Sequence, residues 1–173
     1  MNPPPLPGIP TALPLPDAEA TAALGAALAR HRPGQAMLHL QGDFGAVKST
    51  LARALLRALG VQGVIRSPTY TLVERYPVPG GEAAHLDLYR LADAGELDFL
   101  GLDELQAAAG LWLVEWPERG TGSLPPADLR LRLRVCGAGR ELEALAVSAS
   151  GRAWWAATVS QLGTMAEDRS GGT

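Results

Sequence analysis

Leu40-Gln41-Gly42-Asp43-Phe44-Gly45-Ala46-Val47-Lys48-Ser49-Thr50 decides the reading of this chain. A phosphate-binding loop runs glycine, four residues, glycine, lysine, then serine or threonine. Gly42, Lys48 and Ser49 keep that spacing, and Val47 stands where the second glycine belongs. The flanks suit the motif. Ala36-Met37-Leu38-His39-Leu40 is an apolar run of strand length, and Leu51, Leu55, Leu56 and Leu59 recur at helical spacing up to Gly60. A helix N-terminus turns its free N–H groups and the positive end of its dipole toward an anion. In this pattern Lys48 reaches the outer phosphates and the Ser49 hydroxyl ligates magnesium. Strand, glycine loop and helix in that order predict an α/β sheet with its ligand at the carboxyl end of the strand.

Composition narrows the class. Of 173 residues, 47% are hydrophobic and 19% charged, which gives a globular chain with material for one core. Fifteen basic against 18 acidic side chains leave a net charge of -3, which argues against nonspecific nucleic-acid binding over the whole surface. The lone Cys136 excludes an internal disulfide and a cysteine-cluster zinc site. No apolar run reaches membrane-spanning length and no signal-peptide pattern opens the chain, so a cytoplasmic location is expected. Three parts are expected: a proline-rich lead-in over 1–12, one domain over 13–163, and a flexible tail over 164–173.

Downstream, Asp17 reads as the N-cap of a helix carrying Ala20, Leu24, Ala27 and Leu28. In Ser67-Pro68-Thr69-Tyr70-Thr71-Leu72-Val73, alternation predicts a strand from Tyr70. Ser67 and Thr69 read as turn formers or as a switch near a terminal phosphate. Ala84 to Arg90 reads as a strand with His85, Asp87 and Tyr89 on one face. Asp87 is either a magnesium-site or water-orienting carboxylate or a residue of a wet face. Two helical pieces flank Gly101. Leu111 to Trp116 is a buried strand ending in Glu115, either a metal-site carboxylate or an ion-pair partner of Arg119. Arg130, Arg132 and Arg134 alternate with leucines in a strand, and Glu141 and Glu143 can answer them across a hairpin. The other reading of that arginine row is contact with RNA phosphates. A helix is expected over 151–162.

Gly42 to Thr50, Ser67 to Glu74, His85 to Arg90, Glu96 to Leu102 and Leu113 to Glu118, in this order and spacing, closely resemble the TsaE (YjeE) family. That family is the ATPase component of bacterial tRNA threonylcarbamoyladenosine biosynthesis. The resemblance covers residues 13 to 147. It implies a P-loop NTPase-like three-layer α/β fold with a mixed parallel and antiparallel sheet. It implies ATP or ADP and Mg2+ as ligands, slow hydrolysis, and the proteins TsaD and TsaB as partners, with tRNA met only through their complex and no membrane. TsaE is thought to reset that complex between turnovers. By motif, Phe44, Gly45, Ala46, Val47, Lys48, Ser49 and Thr50 would wrap the phosphates. Ser49, Glu115 and Asp87 would form the metal site, and Asp87, Glu115 and Thr69 would serve hydrolysis and switching. Trp116 would sit beside the site, with Ala18 and Arg140 as further nucleotide contacts.

Val47 departs from the family, which has glycine there. Glycine permits positive φ and close approach of phosphate to backbone. Valine forced into that conformation costs roughly 1–3 kcal/mol, about tenfold to a hundredfold in affinity. Weak or absent ATP hydrolysis by this chain is expected. Two further readings stand beside a nucleotide-competent ATPase: a TsaE-like protein that binds partners without nucleotide, and a small-molecule P-loop kinase.

Overall fold

The structure is a computed structural model and describes residues 10–43 and 48–171. Its elements run β1 (Ala12–Leu15), α1 (Ala18–Arg30), β2 (Ala36–Gly42), α2 (Lys48–Ala58), β3 (Val73–Val78) and β4 (Gly81–Asp87). A 3-10 turn (Ala94–Leu100), α3 (Leu102–Ala108), β5 (Ala109–Glu115), a second 3-10 turn (Pro117–Gly120), β6 (Leu129–Cys136), β7 (Gly139–Ala146) and α4 (Ala149–Ser170) complete the chain. Seven strands form one sheet in the order β1-β7-β6-β2-β5-β4-β3. The centre is parallel, β6 to β2 to β5 to β4. The flanks are antiparallel, with β7 between β6 and β1 and β3 against β4. The expected mixed α/β sheet is thus observed.

Burial follows the two-residue period of a strand. Leu38 and Leu40 of β2, and Leu111 and Leu113 of β5, join a core with Leu24 and Leu28 of α1, Leu51, Leu55 and Leu56 of α2, and Trp154 and Trp155 of α4. Met37, Trp112 and Val114 face the other way, onto Leu97 and Leu105 beneath the 3-10 turn and α3. Apolar residues on both faces make β2 and β5 near-continuous hydrophobic runs, as central parallel strands require. Ala83 of β4 lies in the α2-side core. Two-residue alternation therefore sends His85 and Asp87 to that side as well, and Glu115 follows Leu111 and Leu113 there.

Asp17 caps α1, its carboxylate accepting the Ala20 N–H at 2.8 Å. Helix α1 packs across α2 at Gly25, where a β-carbon would lie 2.7 Å from Ala54 Cβ and 2.9 Å from Leu55 N. Alanine has the better helix propensity by up to ~1 kcal/mol, but overpacking against backbone costs about 1–3 kcal/mol. Gly25→Ala is therefore expected to lower the unfolding free energy in a denaturant titration.

Several expectations are corrected. The strand does not begin at Tyr70. The Leu72 N–H donates to Pro68 O at 2.8 Å, Leu72 takes φ 66°, and the strand starts at Val73. Turn chemistry after Pro68 overrides the alternation. Strand β4 ends at Asp87 instead of Arg90, because the Asp87 carboxylate turns the chain by accepting the Tyr89 N–H at 3.0 Å. The piece before Gly101 is a 3-10 helix. Ala12–Leu15, just where the domain was expected to begin, pairs with Glu143–Arg140 of β7 as an edge strand that includes Pro14. The opposite edge, β3, carries Pro77. Helix α4 continues to Ser170, through most of the stretch expected to be flexible. Met165, Ala166, Glu167 and Arg169 near its end are good helix formers, and Arg169 reaches Glu19 on α1 at 2.8 Å.

Candidate functional site

Four chain segments meet at the carboxyl end of the parallel strands. Strand β2 ends at Gly42, whose φ of 150° suits a residue without a β-carbon. Its carbonyl accepts from Lys48 Nζ at 2.7 Å, and the same ammonium lies 3.8 Å from the Trp116 ring centroid. Lys48 is only 4% exposed. Burial lowers its pKa from the usual lysine value, against the pull of Glu115, Glu118, Asp87 and Asp43. A buried ammonium held by a carbonyl and an aromatic face is poorly solvated and well placed to take an anion.

One residue on, Ser49 Oγ donates to Glu115 at 3.0 Å to Oε1, with Oε2 at 3.3 Å. Glu115, the last residue of β5, is 2% exposed and lies opposite Leu40 on one side and Asp87 on the other. His85 Nε2 closes on Glu115 Oε2 at 2.6 Å. Asp87 accepts from Thr69 Oγ1 at 3.2 Å, and Thr69 is within 2.7 Å of Ser67 Oγ. Thr69 is thereby tied to the strand-end carboxylate by more than turn geometry. Backbone strain collects here: Leu72 and Trp116 are the positive-φ residues other than glycine among those described, at 66° and 56°. Leu72 O accepts the Asp87 N–H, and Trp116 directly follows Glu115. Such outliers cost of order 1–3 kcal/mol each and gather where a site over-determines the chain.

The structure therefore brings together Lys48, Ser49, Thr69, Asp87, Glu115 and Trp116. Thr50 follows them on α2 and is exposed. Phe44, Gly45, Ala46 and Val47 lie outside the described residues. Ala18 and Arg140 sit at the same end of the sheet, since β6 is parallel to β2 and Arg140 opens β7 opposite Leu15. Strands β6 and β2 stand between Arg140 and the carboxylates of β5 and β4. The Arg140 contact given by the structure is to its neighbour, the Gly139 carbonyl, at 3.0 Å. The suggested Glu115–Arg119 ion pair does not form among the described residues; Arg119 stacks over the Tyr89 ring at 5.7 Å. Across the hairpin, Arg134 bonds Glu141 at 2.8 Å and Arg132 stands opposite Glu143, which is the cross-strand pairing expected.

His85 is the member that sequence reasoning left out. Alternation put it on the Asp87 face, but nothing in the sequence showed that β4 would lie parallel to β5 with Asp87 beside Glu115.

Oxygen donors from Ser49, Glu115 and Asp87 suit a hard, octahedral cation that completes its shell with water and phosphate oxygens. No group of three or more His, Cys, Asp or Glu able to hold a metal alone occurs among the described residues. The donor set thus fits magnesium brought with a nucleotide better than a resident zinc or calcium.

On the opposite face, His39 stands beside Arg130 in the β2–β6 register and is 7% exposed. Burial, then Arg130, lower its pKa to about 4, against Asp128. An unfolded histidine near 6.5 binds its proton first as pH falls, so folding loses stability from about pH 6.5 down to about 4. The expected loss is up to about 3 kcal/mol at 1.4 kcal/mol per pH unit. A His39→Gln variant should show a flatter pH dependence of unfolding over that window.

Taken together, fold and cluster define an α/β protein with a lysine, a serine and two carboxylates gathered at the carboxyl edge of its parallel strands. The family model described as threonylcarbamoyl adenosine biosynthesis protein TsaE matches residues 15–142. The chain belongs to the TsaE family, and so to tRNA threonylcarbamoyladenosine biosynthesis. It is 42% identical over 122 residues to the tRNA threonylcarbamoyladenosine biosynthesis protein TsaE of Haemophilus influenzae, covering 70% of this chain and 77% of that one. The same protein of Streptomyces coelicolor is 35% identical over 80% of this chain and 97% of its own. The crystal structure of YdiB from Bacillus subtilis superimposes with a TM-score of 0.73 at 25% identity, over 86% of this chain and 93% of that one.

Proposed function

We propose that this chain binds ATP with magnesium and hydrolyses it slowly, and that it uses this cycle to reset a TsaD–TsaB complex that modifies tRNA. The observation that carries the reading is the 3.0 Å contact of Ser49 Oγ with Glu115. It joins the serine of the phosphate-loop pattern to the carboxylate at the end of a buried strand, the two groups that flank the metal in a nucleotide site of this type. Lys48 holds the outer phosphates. Ser49 and Glu115 hold the metal, with Asp87 beside them. Asp87 orients the attacking water, and Thr69, hydrogen-bonded to Asp87, reports the state of the terminal phosphate through the 67–72 turn. Bound magnesium would supply charge neutralisation across the phosphates. Trp116 packs over the Lys48 ammonium and fixes its direction.

No helix among the described residues is long and apolar enough to cross a membrane. Val47 supports a second reading, a member of the family that engages TsaD and TsaB without nucleotide. Calorimetry of this chain and of Val47→Gly with ATP and Mg2+ separates the two. Binding by this chain supports the first reading, binding by Val47→Gly alone supports the second, and heat from neither overturns the nucleotide site. Co-purification with TsaD and TsaB tests the partners, and failure to associate with or without nucleotide would remove that part.

A further inference from the structure

We infer that His85 is a positioning residue for the carboxylate that would hold the metal: it fixes the rotamer of Glu115, so that one carboxylate oxygen stays aimed at Ser49. The inference rests on the nucleotide reading given above. His85 is 1% exposed, and its Nε2 lies 2.6 Å from Glu115 Oε2. An ionised carboxylate only accepts hydrogen bonds, so Nε2 carries the proton and donates. The other ring nitrogen, Nδ1, is buried and has no hydrogen-bond partner among the described residues. The ring therefore has a single polar engagement, and it is with Glu115. A histidine kept in a sealed core for packing alone would leave both nitrogens costly to bury; this one directs one nitrogen along a short line to the carboxylate.

The surrounding geometry explains why such a clamp is needed. Glu115 approaches Ser49 with both oxygens, at 3.0 and 3.3 Å, so the serine alone does not select between them. Engagement of Oε2 by His85 makes the two oxygens inequivalent and leaves Oε1 the closer to Ser49. Strand register supplies the reach. Asp87 stands opposite Glu115 and His85 opposite Leu113, so the imidazole extends from one pair deeper in the sheet and approaches the carboxylate from the core side. Glu115 itself is 2% exposed, so its carboxylate is held among Ser49 and His85 rather than free in water. Groups that orient metal-binding side chains in this way typically account for tenfold to a hundredfold in metal affinity.

Amide variants of His85 provide the test. His85→Gln carries an amide nitrogen near the Nε2 position and keeps the donor. His85→Asn carries it near Nδ1, out of reach of Glu115. Each is compared with the parent chain, and with the same changes in Val47→Gly, by titrating Mg2+ into protein and ADP and reading the binding heat by calorimetry. The Mg2+ midpoint should rise tenfold or more in His85→Asn and recover to within about threefold in His85→Gln, with Mg2+-free ADP affinity altered by less than about threefold. Should His85→Asn fail to fold, His85→Leu removes the donor within the same apolar surroundings and is read in the same way. Mg2+-dependent binding with the same midpoint in the donor-less variant as in the parent overturns the role of His85 and leaves the nucleotide site standing. Equal loss of Mg2+-bound and Mg2+-free ADP also overturns it, since that is what a structural residue would give. Absence of Mg2+-dependent ADP binding in the parent and in Val47→Gly alike overturns the nucleotide reading, and this one with it.

Discussion

Val47→Gly is expected to bind ATP tenfold to a hundredfold more tightly than the parent chain, and to hydrolyse it measurably faster. The argument is local. In the phosphate-loop pattern the residue before the lysine is a glycine because backbone must approach phosphate closely and tolerate a conformation hostile to a β-carbon. Valine, branched at that carbon, is among the residues least suited to it. A strain of roughly 1–3 kcal/mol in the phosphate-bound conformation would appear as weaker binding by the corresponding factor. The groups that would meet a phosphate in the proposed site are in place: Lys48 is buried with its ammonium against Trp116, and Ser49 already touches Glu115. Restoring one glycine should therefore suffice. Side-by-side calorimetry and phosphate release at saturating ATP check it, and equal affinities and rates for the two proteins would refute it.

In the Val47→Gly background, Glu115→Gln is expected to cut the hydrolysis rate on the order of a hundredfold or more, the scale seen when a charge-stabilising group is removed from a preorganised site. Glutamine preserves the volume and can still accept from His85 Nε2, so the β5 terminus should keep its place. It lacks the negative charge that, in the proposed site, would hold a divalent cation. Affinity for ADP without Mg2+ should stay within a fewfold, because Lys48 and the α2 N-terminus remain. A rate within tenfold of the background would show that Glu115 is not the metal carboxylate.

Much of the fold was legible because its central strands are buried on both faces. Ala36 to Leu40 and Leu111 to Val114 are nearly unbroken apolar runs, and a glycine loop leading to a leucine-striped helix implies a parallel α/β sheet. The Asp17 cap and the Arg134–Glu141 hairpin pairing were equally readable, since both depend on residues close in sequence. What escaped depends on distant or irregular partners. The 68–72 turn looks like a strand in its alternation, yet a single backbone bond from Leu72 to Pro68 closes it. Pairing of β1 with β7 joins segments more than a hundred residues apart, and nothing in Ala12–Leu15 announces it. The site divides along the same line. Lys48, Ser49, Asp87 and Glu115 stand in motifs, whereas His85 acquires its role only when β4 docks beside β5.

The outermost strands have a consequence for the chain as a substance in concentrated solution. An open sheet edge presents a row of unpaired amide and carbonyl groups that another copy can extend. Here one edge is β1, only four residues long and interrupted by Pro14, and the other is β3, interrupted by Pro77. Each proline deletes a donor from the row, and shortness at one end and Glu74 and Arg75 at the other discourage what is left. Among the described residues the sheet ends at these two strands, and molecules meeting edge to edge find an interrupted ladder.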